Sequence, residues 1–285
     1  MEDKYLVFYF NEDKIFKKCF GNENESIEFY EKIGNCDKIL FDDEEIMAFL
    51  GSEESLTKIM VYKNTMVTNP IDTFFDKIFI INLDRRQDRW AEMNVQLKKF
   101  NIKNYERFSA IEPNLMNISE IYFNKSNFFL NFSEKYLTSF VGCKLSHYSI
   151  IKIAKERNYK NVLIFEDDAL FHENMNNMIT NVMNEINKEN IYWNMLYLGI
   201  HNPLIDEPIF KYLLKLNQGG ATHAYAINSN FFDFVLENVL ESGIEIDVFY
   251  QNNLKNNSCF MTNPVLVTQR PSYSDLLNCF VEYHF

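Results

Sequence analysis

Asn161–Asp168, NVLIFEDD, is the stretch from which the fold can be read. Four apolar residues run without a polar interruption, the pattern of a strand buried on both faces. The run passes directly into three carboxylates, Glu166, Asp167 and Asp168. A second run of this kind, Lys77–Asn82 (KIFIIN), lies upstream. It leads into Arg85–Phe100, where Trp90, Met93, Leu97 and Phe100 recur at helical spacing.

Working outward, Tyr105–Ala110 reads as a short strand, Gly142–Arg157 as a helix and Glu173–Glu189 as a polar helix. Trp193–Leu198 and Ala221–Ile227 read as strands, Asn230–Leu240 as a helix and Val265–Thr268 as a last strand. Strands alternating with helices predict an α/β sandwich whose sheet is mixed and mostly parallel, with helices on its faces. Residues 1–70 read differently. Tyr5–Phe10, Lys38–Phe41 and Lys58–Tyr62 are strand-like and separated by acidic stretches. They predict a small N-terminal α/β extension of unknown role. Asn69-Pro70 marks the boundary, because proline biases the residue before it away from helix. The second domain is then 71–285.

Composition narrows the function. The 285 residues are 47% hydrophobic, with 27 Phe and 16 Tyr against 8 Gly and 6 Pro. That profile fits a globular chain with a large core rather than a disordered one. The net charge of -12 argues against nucleic acid as a partner, because phosphate contacts need a basic face. Five cysteines, Cys19, Cys36, Cys143, Cys259 and Cys279, occur at long spacings without a CxxC pair. Reduced thiols and no structural zinc site are expected. The apolar stretch near the N-terminus is too short for a signal peptide or membrane span, so the expected location is cytoplasmic.

Open α/β sheets bind ligands at the carboxyl ends of their strands. Glu166, Asp167 and Asp168 stand at such an end. Crowded carboxylates repel one another unless a cation neutralises them, and oxygen ligands suit Mg²⁺ or Mn²⁺. On an extended chain Glu166 and Asp168 face one side and Asp167 the other. A solvated acidic loop or a helix cap fits the same residues. At the second strand end, Asn82–Arg89 carries Arg85, Arg86 and Arg89 into the first turn of a helix. Helix N-termini and guanidinium forks both suit phosphate. A surface helix with Asp84 and Asp88 paired against Arg85 and Arg89 fits as well. Together the two ends describe a pocket for a nucleoside diphosphate. Walker, GxGxxG, HExxH and GxSxG motifs are absent.

Several blocks in order make the chain similar to glycosyltransferase family 25. They are Phe79–Trp90 (FIINLDRRQDRW), Tyr105–Ile111 (YERFSAI), Val141–His147 (VGCKLSH) and Val162–Leu170 (VLIFEDDAL). Leu196–Gly199, Thr222–Ile227 (THAYAI), Ile246-Asp247 and Gln269–Leu276 (QRPSYSDL) follow. The resemblance implies a GT-A type fold, a UDP-sugar donor, Mn²⁺ dependence and inversion at the anomeric carbon. It puts Asp168 on the metal, Glu166 on metal or ribose, and Asp167 beside the nucleotide sugar. Asn82, Leu83, Arg85 and Arg89 match the segment near the nucleotide. Asp247 and Asp275 match later carboxylates, with Asp247 the favoured base and Asp275 next. Each of these two also reads as a cap or turn residue. His147 reads either as lining the donor pocket or as a core histidine, and His223 as a third metal ligand or a core residue. Trp90 and Trp193 read as core. The family often has Gly-Glu before the Gly-Cys block, where Ser139-Phe140 stand here.

The expected function is therefore metal-dependent transfer of a sugar to a hydroxyl on a glycan or protein. A catalytically degenerate glycosyltransferase-like binding module and a metal-dependent phosphohydrolase are the competing readings.

Overall fold

A computed structural model describes residues 5–11, 14–20, 38–41, 69–113, 134–274 and 279–281. The expected strand Lys58–Tyr62 and the expected base Asp275 lie outside the described residues. The chain divides into two compact units, Met1–Thr68 and Asn69–Phe285. In the first, β1 (Tyr5–Asn11), β2 (Lys14–Phe20) and β3 (Lys38–Phe41) form an antiparallel sheet with β1 in the middle.

The second unit opens with Asn69, whose side chain accepts from the Ile71 amide and caps α1 (Pro70–Phe74). Proline at the first helical position costs nothing there, because that amide has no helical partner. The elements that follow are β4 (Lys77–Asn82), α2 (Gln87–Lys99), β5 (Tyr105–Ser109), α3 (Glu134–Glu156), β6 (Asn161–Glu166), β7 (Ala169–Phe171) and α4 (Met175–Lys188). After them come β8 (Met195–Ile205), β9 (Leu213–Asn228), α5 (Phe232–Asn238), α6 (Ile246–Leu254), β10 (Cys259–Thr262), β11 (Val267–Gln269), β12 (Ser272–Ser274) and β13 (Cys279–Val281).

The main sheet has six strands in the order β10-β8-β9-β6-β4-β5. β4 pairs parallel with β5 and β6, and β10 parallel with β8. β9 runs antiparallel to the three strands it pairs with, β6, β8 and β10. The sheet is thus mixed with helices on both faces, as the sequence reading expects.

Alternation along the strands builds two cores. Ile78, Ile80, Leu163 and Phe165 face one side, against Met93 and Leu97 of α2 and Ile179 and Val182 of α4. Phe79, Ile81, Val162 and Ile164 face the other, against Ile150 and Ile151 of α3, Phe232 of α5 and Phe249 of α6. Burying each such side chain is worth about 1.5–3 kcal/mol relative to exposure. Trp193 is buried and Trp90 packs partly buried in the first core, so both are packing residues.

Several elements differ from the sequence reading. β9 starts at Leu213, before the expected Ala221, because it forms a long irregular hairpin with β8. α3 begins at Glu134, ahead of Gly142. α4 is not polar throughout: Met175, Ile179, Val182, Met183 and Ile186 form a buried stripe. β11 joins β7 rather than the main sheet. β10 is a short, fully buried segment that the sequence reading passes over.

Candidate active site

The parallel register aligns the tips of β4, β5 and β6, with Ile81 beside Glu166 and Asn82 beside Ser109. Even-numbered residues of β6 face α3, so Glu166, the last of them, meets that helix. His147 Nε2 lies 3.3 Å from Glu166 Oε1, and Thr222 Oγ1 of β9 donates to the same oxygen at 2.7 Å. His147 is fully buried, and its Nδ1 is 3.0 Å from the Tyr225 hydroxyl, which meets Tyr250 at 3.2 Å. His147 is thus both a hydrogen-bonded core residue and a wall of the cavity. Burial works against the Glu166 carboxylate. His147 and Thr222 outweigh it and hold the group down at about 2.

β6 ends at Glu166, and Asp167-Asp168 form a turn before β7. The alternation expected to set Glu166 and Asp168 side by side therefore stops one residue short. Asp167 is not set apart from Asp168, since the two share Arg89, and both of its oxygens are held. Oδ1 accepts from Arg89 Nη1 at 2.7 Å and Oδ2 from Asn82 Nδ2 at 2.7 Å. Asp168 is held more loosely, at 3.3 Å from Arg89 and 3.4 Å from Gln269 Nε2. Burial, reinforced by the charge of Glu166, pushes its carboxyl above the usual range against the pull of Arg89.

This changes the reading of the arginines. Arg89, expected near phosphate, lines the same cavity, while its Nη1 bridges Asp167 and Asp168 and its Nη2 donates to Ser272 Oγ at 2.7 Å and the Tyr273 carbonyl at 2.8 Å. A buried charge left uncompensated is strongly destabilising, and the guanidinium supplies the compensation here. Asn82 is likewise a positioning residue, since its Oδ1 accepts from Arg107 and its Nδ2 serves Asp167 and the Arg86 carbonyl. Arg85 is half-exposed and pairs with Glu112 at 2.9 Å.

A cavity of about 320 Å³ is lined by Asn82, Leu83, Arg85, Arg89, His147 and the three acids. Ile111, Pro113, Ser139 and Gly142 line it as well. Gly142 is required there, because a Cβ would overlap the Ile111 carbonyl oxygen. A second cavity of about 460 Å³ shares Cys143, Glu166 and Gln269 with the first and carries Glu245, Asp247 and Gln251. Asp247 lies in the first turn of α6 and accepts from the Val248 amide at 2.9 Å. The helix cap is Glu245, so Asp247 is not the cap. Burial, with Glu245 and Glu166 nearby, raises its carboxyl.

His223 does not join the acids. It is fully buried against Gly199 and the Val267 carbonyl, 3.4 Å from Nε2, with its ring near that of His201. Burial drops it to about 4, so it is neutral. Among the described residues, the metal-type ligand atoms within 4.8 Å of one another are those of Cys143, His147 and Glu166. The metal set expected from the sequence, Glu166, Asp168 and His223, is corrected on this point. His223 is turned to a carbonyl by the close approach of β8, β9 and β11. Cys143, Thr222 and Gln269 are site residues that sequence reasoning did not single out. The four-residue spacing of Cys143 and His147 on α3 is the signal that could have found the first.

Residues 75–203 match the model of glycosyltransferase family 25 (LPS biosynthesis protein). The chain is similar to the human inactive glycosyltransferase 25 family member 3, 33% identical over 130 residues, covering 44% of this chain and 22% of that protein. It is similar to procollagen galactosyltransferase 1-A of Xenopus laevis, 30% identical over 139 residues, covering 47% and 23%. It thus spans less than a quarter of the length of these curated relatives. A glycosyltransferase involved in glycosylation of the major capsid of PBCV-1 aligns with a TM-score of 0.29 and 11% identity, over 55% of this chain and 62% of that one. Among the described residues no helix is long and apolar enough to cross a membrane. Residues 75–203 supply the Asn82–Arg89 turn, the Cys143–His147 face of α3 and the Glu166–Asp168 acids, and over them the resemblance to glycosyltransferase family 25 holds.

Proposed function

We propose that this chain transfers a sugar from a UDP-sugar to a hydroxyl on a glycan or protein, inverting the anomeric centre. One observation carries the reading. Three carboxylates at a buried strand end line a cavity with Arg85 and the Asn82-Leu83 turn, and a second cavity bearing Asp247 shares Glu166 with it.

The donor set fits a hard divalent cation, Mn²⁺ or Mg²⁺. Three acids are clustered, and Arg89 bridges only two of them, Asp167 and Asp168. The Asp168 carboxylate makes only long bonds, and Glu166 Oε2 has no hydrogen-bond partner among the described residues. Asp168 and Glu166 are the residues to hold it. A cation held by these two residues would supply Lewis-acid neutralisation of diphosphate charge. Asp167, fixed by Asn82 and Arg89, keeps the acidic turn in place. Arg85, at the cavity edge, adds charge toward phosphate oxygens. Ile81, Ala110, Ile111 and Pro113 offer an apolar wall to a flat base. In the second cavity Asp247 takes the proton of the acceptor hydroxyl.

A catalytically degenerate binding module is the second reading. It is favoured by the Arg89 bridge, which partly neutralises the acids without a metal, and by the likeness to a family member named inactive.

UDP release from a panel of UDP-sugars, with and without Mn²⁺, tests both. Mn²⁺-dependent release, stopped by a chelator, is the expected result. Binding of UDP-sugar without release from any donor would overturn the transferase reading in favour of the module.

A further inference from the structure

Cys143 and His147 stand four residues apart on α3, so their side chains sit one above the other on the same face. The same spacing lets a helix offer two ligands to one metal ion. The alternation of β6 turns Glu166 to that face. Ligand atoms of the three residues lie within 4.8 Å of one another, and His147 Nε2 is 3.3 Å from Glu166 Oε1. Two ligands of a tetrahedral zinc ion, with bonds of about 2.0–2.3 Å, lie roughly 3.3–3.8 Å apart. The imidazole and carboxylate are therefore already at ligand separation.

The surroundings resemble a prepared outer shell. His147 is oriented through Nδ1 by the Tyr225 hydroxyl, itself held by Tyr250, and Glu166 is oriented by Thr222. Metal-binding histidines and carboxylates are commonly fixed in this way. Both cavities are lined by Cys143 and Glu166, which leaves an entry path and room for a water as fourth ligand. One sulfur, one nitrogen and one oxygen form a softer donor set than the acids of the neighbouring turn.

We propose that Cys143, His147 and Glu166 bind a thiophilic divalent cation of the Zn²⁺ class, selected by the thiolate and not by the Glu166–Asp168 acids. On binding, the Cys143 thiol releases its proton to solvent as Sγ bonds the cation. His147 binds as neutral imidazole through Nε2, with Nδ1–H donating to Tyr225, and Glu166 binds as carboxylate through Oε1, the oxygen beside His147, which leaves Oε2 to the cation of the acidic turn. The inference goes beyond the transferase reading and does not depend on it.

The test is a Co²⁺ titration of the reduced, chelator-stripped full chain, followed by absorbance. One equivalent should give a thiolate-to-cobalt charge-transfer band that excess Zn²⁺ abolishes. The band should be lost in Cys143→Ser, be weakened and shifted in His147→Ala, and persist in Asp168→Ala. No band at one equivalent, a band unchanged in Cys143→Ser or in His147→Ala, or a band lost in Asp168→Ala would overturn the proposal. The His147 variant decides the matter if the serine variant does not fold. A band without UDP release leaves the cation site standing and removes only the transferase reading; release without a band does the reverse.

Discussion

Asn82 Nδ2 donates to Asp167 Oδ2 at 2.7 Å, so the tip of β4 holds the first turn residue beyond β6. Asn82 Oδ1 in turn accepts from Arg107 of β5, which links three adjacent strand tips through one amide. Removing a partner from a buried hydrogen bond costs about 1–3 kcal/mol. Asn82→Ala is expected to lose that much in urea unfolding. Asn82→Asp should lose more, because a carboxylate would then face Asp167. Wild-type stability in both would contradict the role given to this amide.

Arg89 and Arg85 should separate in a stability measurement. Arg89 is buried between Asp167 and Asp168, and removing one member of a buried pair costs about 3–5 kcal/mol. Arg85 and Glu112 are both half-exposed, and such pairs are worth roughly 0–1 kcal/mol. Thermal unfolding of Arg89→Ala should therefore fall well below that of Arg85→Ala. Equal losses would mean that Arg89 does not hold the acidic turn.

Asp168→Ala should abolish Mn²⁺-dependent UDP-sugar turnover while the circular dichroism spectrum stays that of the wild type. Full turnover in that variant would remove Asp168 from the metal.

Asp247→Asn should lower kcat by about 10²–10⁴-fold, the usual contribution of a positioned base. A base works as carboxylate, and burial raises the carboxyl of Asp247. Activity should then decline as pH falls through a value above the ordinary carboxylate range. The asparagine variant should lack that acid limb in its kcat profile. An unchanged limb would point to another group.

Gly199 and Gly220 offer a packing contrast. A Cβ on Gly199 would overlap the Val267 carbonyl oxygen and His223 Nε2, whereas at Gly220 the nearest atom is Gln251 Oε1 at 4.0 Å. Gly199→Ala should cost about 1–3 kcal/mol. Gly220→Ala should fold nearly as well as the wild type, as read by the urea midpoint.

Much of the frame was legible because strand and helix signals are local. Lys77–Asn82 and Asn161–Glu166 are strands as read, and α2 lies within Arg85–Phe100. The misreadings share a cause. The course of β9 is set by pairing with both β6 and β8, and the short β10 is recognised only by what covers it. The stripe of α4 is masked by the many asparagines around it. In the site, the acids and the arginine turn were visible as types, while their partners were not.

The sequence by itself determined that apolar runs become buried strands, that acids stand at the tip of one and arginines at the tip of another, and that blocks like those of family 25 follow in order. Those facts depend on neighbours a few residues apart. The tertiary structure alone decided that Arg89 meets Asp167 across 78 residues, that Cys143 and His147 meet Glu166, and that His223 turns to the Val267 carbonyl. Such pairings follow from strand register and from the cost of leaving a buried charge or polar atom unmatched. Neither is written in a local pattern.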